Sequence, residues 1–436
     1  MNRIKARNLV VDKIGDRRLI WLGIAGEDAG PLVGVPQLSN CYSVHSPLKA
    51  EGVESLAVES LTGWRRRDYD VSVFLNEQGR PMVESFTRAV SEPSLLLTHM
   101  PYEFLPLLLT AGQAEYPGNS YGTFQAVSDK HVIEAELRDR EGISLIPWKR
   151  LRDDAARMDA LRDEVRRGPV VLRSSRQDSG AGHELILREE QLESSAIAHL
   201  SEPISVAPYL SEYVPVCIGA CVFADGGITL HTPSFQIIGI AACSRYDFGY
   251  CGNDFGAVKQ LSRTAMERLE ACARTVGQWL HSKEFIGVFG VDAIVRDDEV
   301  VFVEINPRFL GSSRISAQVD AEMDLSDVYL DHLMACLGMP SHTSPSLADQ
   351  SAMQPAWSQL ICHNLRPEVL TLRQGGMDLP AGFTAELVPD PSIRVGAGDL
   401  LFTLRAKESV TRDGKSIGEA AAAAIEAGLS AFLPSE

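Results

Sequence analysis

Between Val258 and Leu280, apolar or small side chains recur at positions 258, 261, 265, 269, 272, 276 and 280. Steps of three and four residues trace one face of a helix, so the spacing predicts an amphipathic helix packed on the strands that follow. Those strands alternate instead. GVFGVDAIV (287–295) and VVFVEINP (300–307) read as two strands joined by RDDE. Val291, Ala293, Val295, Val301, Val303 and Ile305 share one parity and are all apolar, while Gly290, Asp292, Ile294, Phe302, Glu304 and Asn306 take the other. Pairing the apolar sets on one face forces Asp292, Glu304 and Asn306 onto the opposite face. A three-residue turn then sets Asp292 directly across from Glu304.

Two carboxylates facing each other across a ladder repel. If they are partly buried, one must hold a proton or a cation must sit between them. An Asp–Glu–Asn group of hard oxygens is the ligand set expected for Mg²⁺, which shares its sphere with phosphate and water. Arg308 adds a fixed positive fork for an anion nearby. The competing reading is an exposed polar face with an incidental acid pair. Asn306, Arg308 and the glycine that follows tip the balance towards a site.

Elsewhere the pattern is patchier. Runs such as SLLLTHM (94–100) alternate with polar stretches and suggest a small α/β domain, ending at a soft break near YPGNSYG (116–122). Ser128 caps a predicted helix whose apolar face is Val132, Ile133 and Leu137, with Gly142 as its stop. A helical DDAARMDALRDEVRR precedes the strand PVVLRSS (169–175). The Gly/Ser-rich stretch after it contains Gly180 and Gly182, which free backbone N–H groups to fold over phosphate oxygens, with Arg173 and Arg176 as phosphate partners. By itself this segment reads more readily as a plain hairpin turn, and only its surroundings give it weight as a phosphate loop. Pro and Ser cluster between Met339 and Trp357, a linker before a C-terminal module of strands and an Ala-rich helix (418–433). GKS at 414–416 lacks the earlier glycine of a P-loop, and VGAGDLL lacks the third glycine of a dinucleotide fingerprint.

Composition narrows the partners. A chain of 436 residues predicts two or three domains. A formal charge of −17 argues against nucleic-acid and anionic-membrane partners, both of which reward positive charge. No apolar run approaches the length of a membrane span, and the first residues lack an apolar signal core. The eight cysteines are scattered without a CxxC pair, as expected of reduced thiols in the cytoplasm.

Taken in order, SDK at a helix start, Ile146-Pro147, PVVLR with its Gly-rich loop, SEYVPV, the long helix, GVDAIV and VEINPR resemble the ATP-grasp carboxylate–amine ligases. The resemblance covers roughly 127 to 335. It implies an α/β (α+β) chain in four parts: an N-terminal α/β pre-ATP-grasp domain (1–127), an ATP-grasp domain (128–340), a linker (341–355) and a small C-terminal α+β module (356–436). It implies ATP and Mg²⁺ as cofactors, with Lys130 and Arg173 on ATP phosphates under the Gly180 and Gly182 loop. It further implies Glu212, Tyr213 and Val214 as the adenine hinge, Asp292, Glu304 and Asn306 as magnesium ligands, and Arg308 steadying the acyl phosphate. Where the family has Lys this chain has Arg173, which still binds phosphate. The acid often found past the hinge is missing from Cys217, Ile218 and Gly219.

The flanks, with PSFQIIGI (233–240), resemble pheganomycin-type peptide ligases. That implies amide formation between a small carboxylate and a peptide or amine acceptor, in natural-product biosynthesis. In CSRYDFGYCGNDFG (243–256), Arg245 holds a substrate carboxylate if the segment covers the acceptor; an ordinary surface loop is the equal alternative. His99 reads as a core or capping histidine. The rival functions are loading of a carrier-protein thiol and nucleotide binding without catalysis. A homodimer is the default assembly.

Overall fold

The computed structural model describes residues 1–66, 77–110, 112–174, 180 and 182–435. Three sheets position the site. The first is five-stranded and parallel, in the order Glu54–Ala57, Leu38–His45, Arg18–Ala25, Ser94–Thr98, Ala114–Glu115. Its central strands are unbroken apolar runs, with Ile20, Trp21, Leu95 and Leu96 all buried, as a parallel sheet covered on both faces requires. This is the small α/β unit expected at the N-terminus.

A second, antiparallel sheet runs Lys149–Leu151, Ile204–Pro208, Val170–Ser174, His183–Ile186. The third has nine strands among the described residues, in the order Glu299–Asn306, Gly287–Arg296, Val214–Val222, Ser234–Ile238, Tyr250–Asp254, Ser358–His363, Leu400–Ala406, Phe383–Glu386, with Ile228–Leu230 beside Val214–Val222. The helix Arg263–Ser282 buries Leu269, Cys272, Val276, Trp279 and Leu280 against this sheet. It starts later than its apolar repeat. Ser262 caps it by accepting from Ala265 N, and Ala257–Gln260 forms a separate 3-10 turn.

Local expectations change in four places. The helix Lys130–Leu137 is capped by Asp129, whose carboxylate accepts from His131 and Val132 N; Ser128 instead donates to Phe124 O. Only Ile133 and Leu137 face the core, Val132 is exposed, and Gly142 lies beyond the helix end. The 339–357 stretch contains the helix Leu347–Met353. Gln350 and Gln354 there are fully buried, donating to Leu230 O and to Pro233 O, so the segment is packed rather than loose. The C-terminal strand Ser358–His363 pairs with Tyr250–Asp254 and so continues the third sheet.

The fourth change concerns the hairpin. Arg296 pairs with Glu299, so the turn is the two residues Asp297 and Asp298, with Asp297 at φ 52°. Such a turn alone would place Asp292 opposite Val303. A bulge intervenes: Ala293 pairs with Phe302 and Asp292 with Glu304, leaving Val303 without a partner. The bulge also reverses the facing of the outer half. Phe302 joins Val291, Ala293 and Val295 in the core, where Val301 and Val303 were expected.

Candidate active site

The bulge keeps Asp292 and Glu304 face to face on the hairpin. Asp292 is buried. Its Oδ2 accepts from Asn306 Nδ2 at 3.0 Å, and its Oδ1 has no hydrogen-bond partner among the described residues. Arg308 Nη2 donates to Asn306 Oδ1 at 3.3 Å and Nη1 to Phe309 O at 3.0 Å. Asn306 thus links the guanidinium to the carboxylate. On the other side, Lys130 Nζ stands 3.2 Å from Glu304 Oε2. Lys130 is the first residue of its helix, which points its side chain from the helix start across to the hairpin.

The environment sets the two acids apart. Burial, reinforced by Glu304 opposite, lifts Asp292 to about 7, although Cys217, Gln236 and Arg308 pull it back. Burial also pushes Glu304 up, but the Lys130 ammonium and the Arg308 guanidinium outweigh it and hold Glu304 below its ordinary value. A cation arriving between them would replace the proton that Asp292 otherwise favours. The described residues contain no cluster of three or more His, Cys, Asp or Glu able to hold a metal. Two carboxylates and an amide are a partial sphere, which suits an ion that completes itself with phosphate oxygens and water. The buried, unpartnered Asp292 Oδ1 is the atom that fits this reading.

Arg173 lies on Val170–Ser174 with 3% of its side chain exposed. Its Nη1 is 2.6 Å from Glu134 Oε1 and its guanidinium lies 4.2 Å from the Trp148 ring centroid. Nη2 is buried without a partner among the described residues. Gly180 has φ +79°, and a Cβ there would collide with Phe248 O, so glycine is needed for the approach to the 243–256 segment. Gly182 is buried and accepts from Ser174 N. Arg176 and the rest of the 175–179 stretch lie outside the described residues.

Glu212, Tyr213 and Val214 lie at the turn end of the hairpin. Glu212 is exposed and pairs with Arg296 at 3.4 Å; the Tyr213 hydroxyl donates to Glu299; Val214 pairs with Val295. Four residues of strand separate Asp292 from Arg296, about 13 Å. Arg245 is exposed, its guanidinium 5.6 Å from the Tyr246 ring, and among the described residues it forms no ion pair with Asp292 or Glu304. Its guanidinium lies close to Gly398 instead. His99 is buried beside Arg308, held neutral by burial, and its carbonyl accepts from Phe309 N, in line with a core histidine.

Four neighbours escaped the sequence reading. Cys217 pairs across the ladder with Asp292, and burial together with that carboxylate keeps its thiol protonated. Gln236 lies close enough to Asp292 to favour its charged form. His183 is held neutral, at about 4, by burial and Lys130. Glu134 follows Lys130 by four residues, one helical turn, and that spacing was the single available signal.

A family profile described as "ATP-grasp domain" matches residues 220–312. With the solved structures below, that match gives the chain a mixed α/β ATP-grasp fold with an N-terminal α/β unit. Among curated relatives, the formate-dependent phosphoribosylglycinamide formyltransferase of Klebsiella pneumoniae is 32% identical over 170 residues, 39% of this chain and 40% of that protein. The chain therefore spans less than half the length of that relative. Among solved structures, a biotin carboxylase complex with β-γ-ATP from Campylobacter jejuni has a TM-score of 0.61 at 13% identity, covering 98% of this chain and 93% of the other. The biotin carboxylase domain of Hydrogenobacter thermophilus 2-oxoglutarate carboxylase, with MgADP, has a TM-score of 0.59 at 12% identity, covering 90% and 86%. These likenesses concern the fold. Among the described residues, no helix is long and apolar enough to cross a membrane.

Proposed function

We propose that the protein is an ATP- and Mg²⁺-dependent ligase that joins a carboxylic acid to an amine through an acyl phosphate. The observation that carries this is the hairpin itself: Asp292 and Glu304 face each other, one buried carboxylate oxygen lacks a partner, and Lys130 and Arg308 flank the pair. Nucleotides named in the solved relatives, β-γ-ATP and MgADP, support the cofactor assignment.

A carboxylate acylates poorly because oxide leaves poorly; phosphorylation converts it to a mixed anhydride that an amine can open. Phosphoryl transfer asks for positioning and charge neutralisation more than for covalent help. Asp292, Glu304 and Asn306 would hold the magnesium ion, which would supply that charge neutralisation. Lys130 and the free Nη2 of Arg173 hold phosphate oxygens. Residues 212–214 contact the base at the far end of the hairpin, and the loop carrying Gly180 and Gly182 keeps water from the anhydride. Arg308 holds the oxyanion as the amine attacks, an effect of about 10²–10³-fold for one donor.

In the finer reading, the acid is small, the acceptor is a peptide or amine, and the product belongs to natural-product biosynthesis, with domains divided at 127, 340 and 355. ADP release tests the core claim. It stays near background with ATP and either substrate alone, and rises when a carboxylate and an amine are both present. Full ATP turnover with water alone, or none with any pair, refutes it; a thioester on carrier protein diverts it to thiol loading.

A further inference from the structure

Beyond the hairpin, five charged side chains from three separate parts of the chain converge. Glu27 and Asp28 lie in Gly26–Gly34, where the chain leaves the central strand of the N-terminal sheet. Arg314 lies in the first turn of Ser313–Glu322, six residues after Arg308. Glu386 and Arg405 lie on the strands Phe383–Glu386 and Leu400–Ala406. Arg314 reaches Glu386 at 2.7 Å, Glu27 at 3.4 Å and Asp28 at 3.8 Å. Arg405 Nε lies 2.6 Å from the same Glu386 oxygen, and its Nη1 donates to Gln318 Oε1 at 2.6 Å.

Two features do not suit a finished ion-pair clasp. Arg405 is 6% exposed, yet its Nη2 has no hydrogen-bond partner among the described residues. Such an orphaned buried donor is costly to keep. The exposure is also graded. The side chains of Glu27, Asp28 and Glu386 keep 30%, 23% and 26%, whereas Arg314 and Arg405 keep 13% and 7%. The three carboxylates are thus more open to solvent than the two guanidiniums. Three carboxylates against two guanidiniums leave one excess negative charge.

We propose that this cluster is the acceptor subsite, and that it takes an α-amino acid or the N-terminal residue of a peptide. The ammonium group lies against the Glu27, Asp28 and Glu386 carboxylates, and a carboxylate or carbonyl oxygen accepts from Arg405 Nη2. This rests on the ligase reading. A phosphorylated amine carries more negative charge than a zwitterion, which the excess negative charge of the cluster disfavours.

Calorimetric titration of the full chain with glycine, leucine and the dipeptide Gly-Leu tests the proposal, with and without Mg²⁺ and a non-hydrolysable ATP analogue, and with O-phosphoethanolamine as the counter-probe. The expected result is binding of at least one zwitterion, weakened tenfold or more by Asp28→Asn and by Arg405→Met, with affinity for the ATP analogue unchanged. If Arg405→Met does not fold, Asp28→Asn carries the test. No binding of any zwitterion, equal binding by the variants, or tighter binding of O-phosphoethanolamine overturns it. So does a lowered melting temperature in the variants with unchanged binding, which identifies a clasp. Because binding is read without turnover, a missing ADP signal would defeat the ligase reading and leave the subsite judged on its own data.

Discussion

Lys130 and Glu304 meet at 3.2 Å across two elements far apart in sequence, one at a helix start and one on an edge strand of the third sheet. The ammonium neutralises the carboxylate that faces Asp292, so the two side chains act as one electrostatic unit. Lys130→Met and Glu304→Gln are each expected to weaken Mg–ATP binding by about tenfold or more. Because they share one interaction, the double variant should fall short of the summed effects. A fluorescent-nucleotide displacement assay on the four proteins measures this, and strict additivity would break the pairing.

Arg308 contacts Asn306 and the Phe309 carbonyl rather than the Glu304 carboxylate that Lys130 pairs with. Arg308→Ala should leave Mg–ATP affinity within a few fold and reduce product formation by about 10²–10³-fold. Equilibrium nucleotide binding measured beside single-turnover product yield separates the two effects. A collapse of nucleotide binding would move Arg308 to a phosphate role.

His231 is buried between Asp320, at 3.0 Å, and Asp331, at 3.4 Å. Burial opposes its charge, but the two carboxylates win and raise it to about 10 from an ordinary 6.5. The folded state therefore holds a proton that the unfolded chain releases above pH 6.5. That stabilisation is complete below pH 6.5 and lost as pH rises towards 10, at most about 1.4 kcal/mol per pH unit. Thermal melts from pH 6.5 to 10 should show this decline in the parent protein and a shallower one in His231→Gln. Parallel curves would discard the charged bridge.

Arg65 is fully buried, with Nε 2.6 Å from Glu59, whose side chain is 4% exposed, and with Nη1 donating to Leu387 O. The contact ties the N-terminal unit to the C-terminal strands. Glu59→Ala strands a buried guanidinium and should cost about 3–5 kcal/mol. Urea unfolding of the variant checks it; a loss below about 1 kcal/mol would mean that the carbonyls alone satisfy Arg65.

Much of the hairpin was legible because strand alternation is local. Parity alone set Asp292, Glu304 and Asn306 on one face, and the three-and-four repeat located the helix that packs beneath. The outer half of the hairpin was misread. A bulge has no reliable local signal: the same residues with a three-residue turn give the same Asp292–Glu304 pair, and only the packing of Phe302 in the core distinguishes them. The capping residue was displaced by one position, since Ser128 and Asp129 are both good caps and the geometry of the preceding turn selects between them.

By itself, then, the sequence determined the local order: which faces are apolar, which residues share a strand face, and that two acids must lie close. Tertiary structure alone decided what surrounds them. It brought Lys130 to Glu304, turned Arg173 onto Glu134, set Cys217 against Asp292, left Arg245 on the surface and gathered Glu27, Asp28, Arg314, Glu386 and Arg405. The reason is physical. Alternation and helical repeat are imposed by neighbouring backbone geometry, whereas encounters between distant segments are set by how whole sheets and helices pack, and no short stretch of chain encodes that alone.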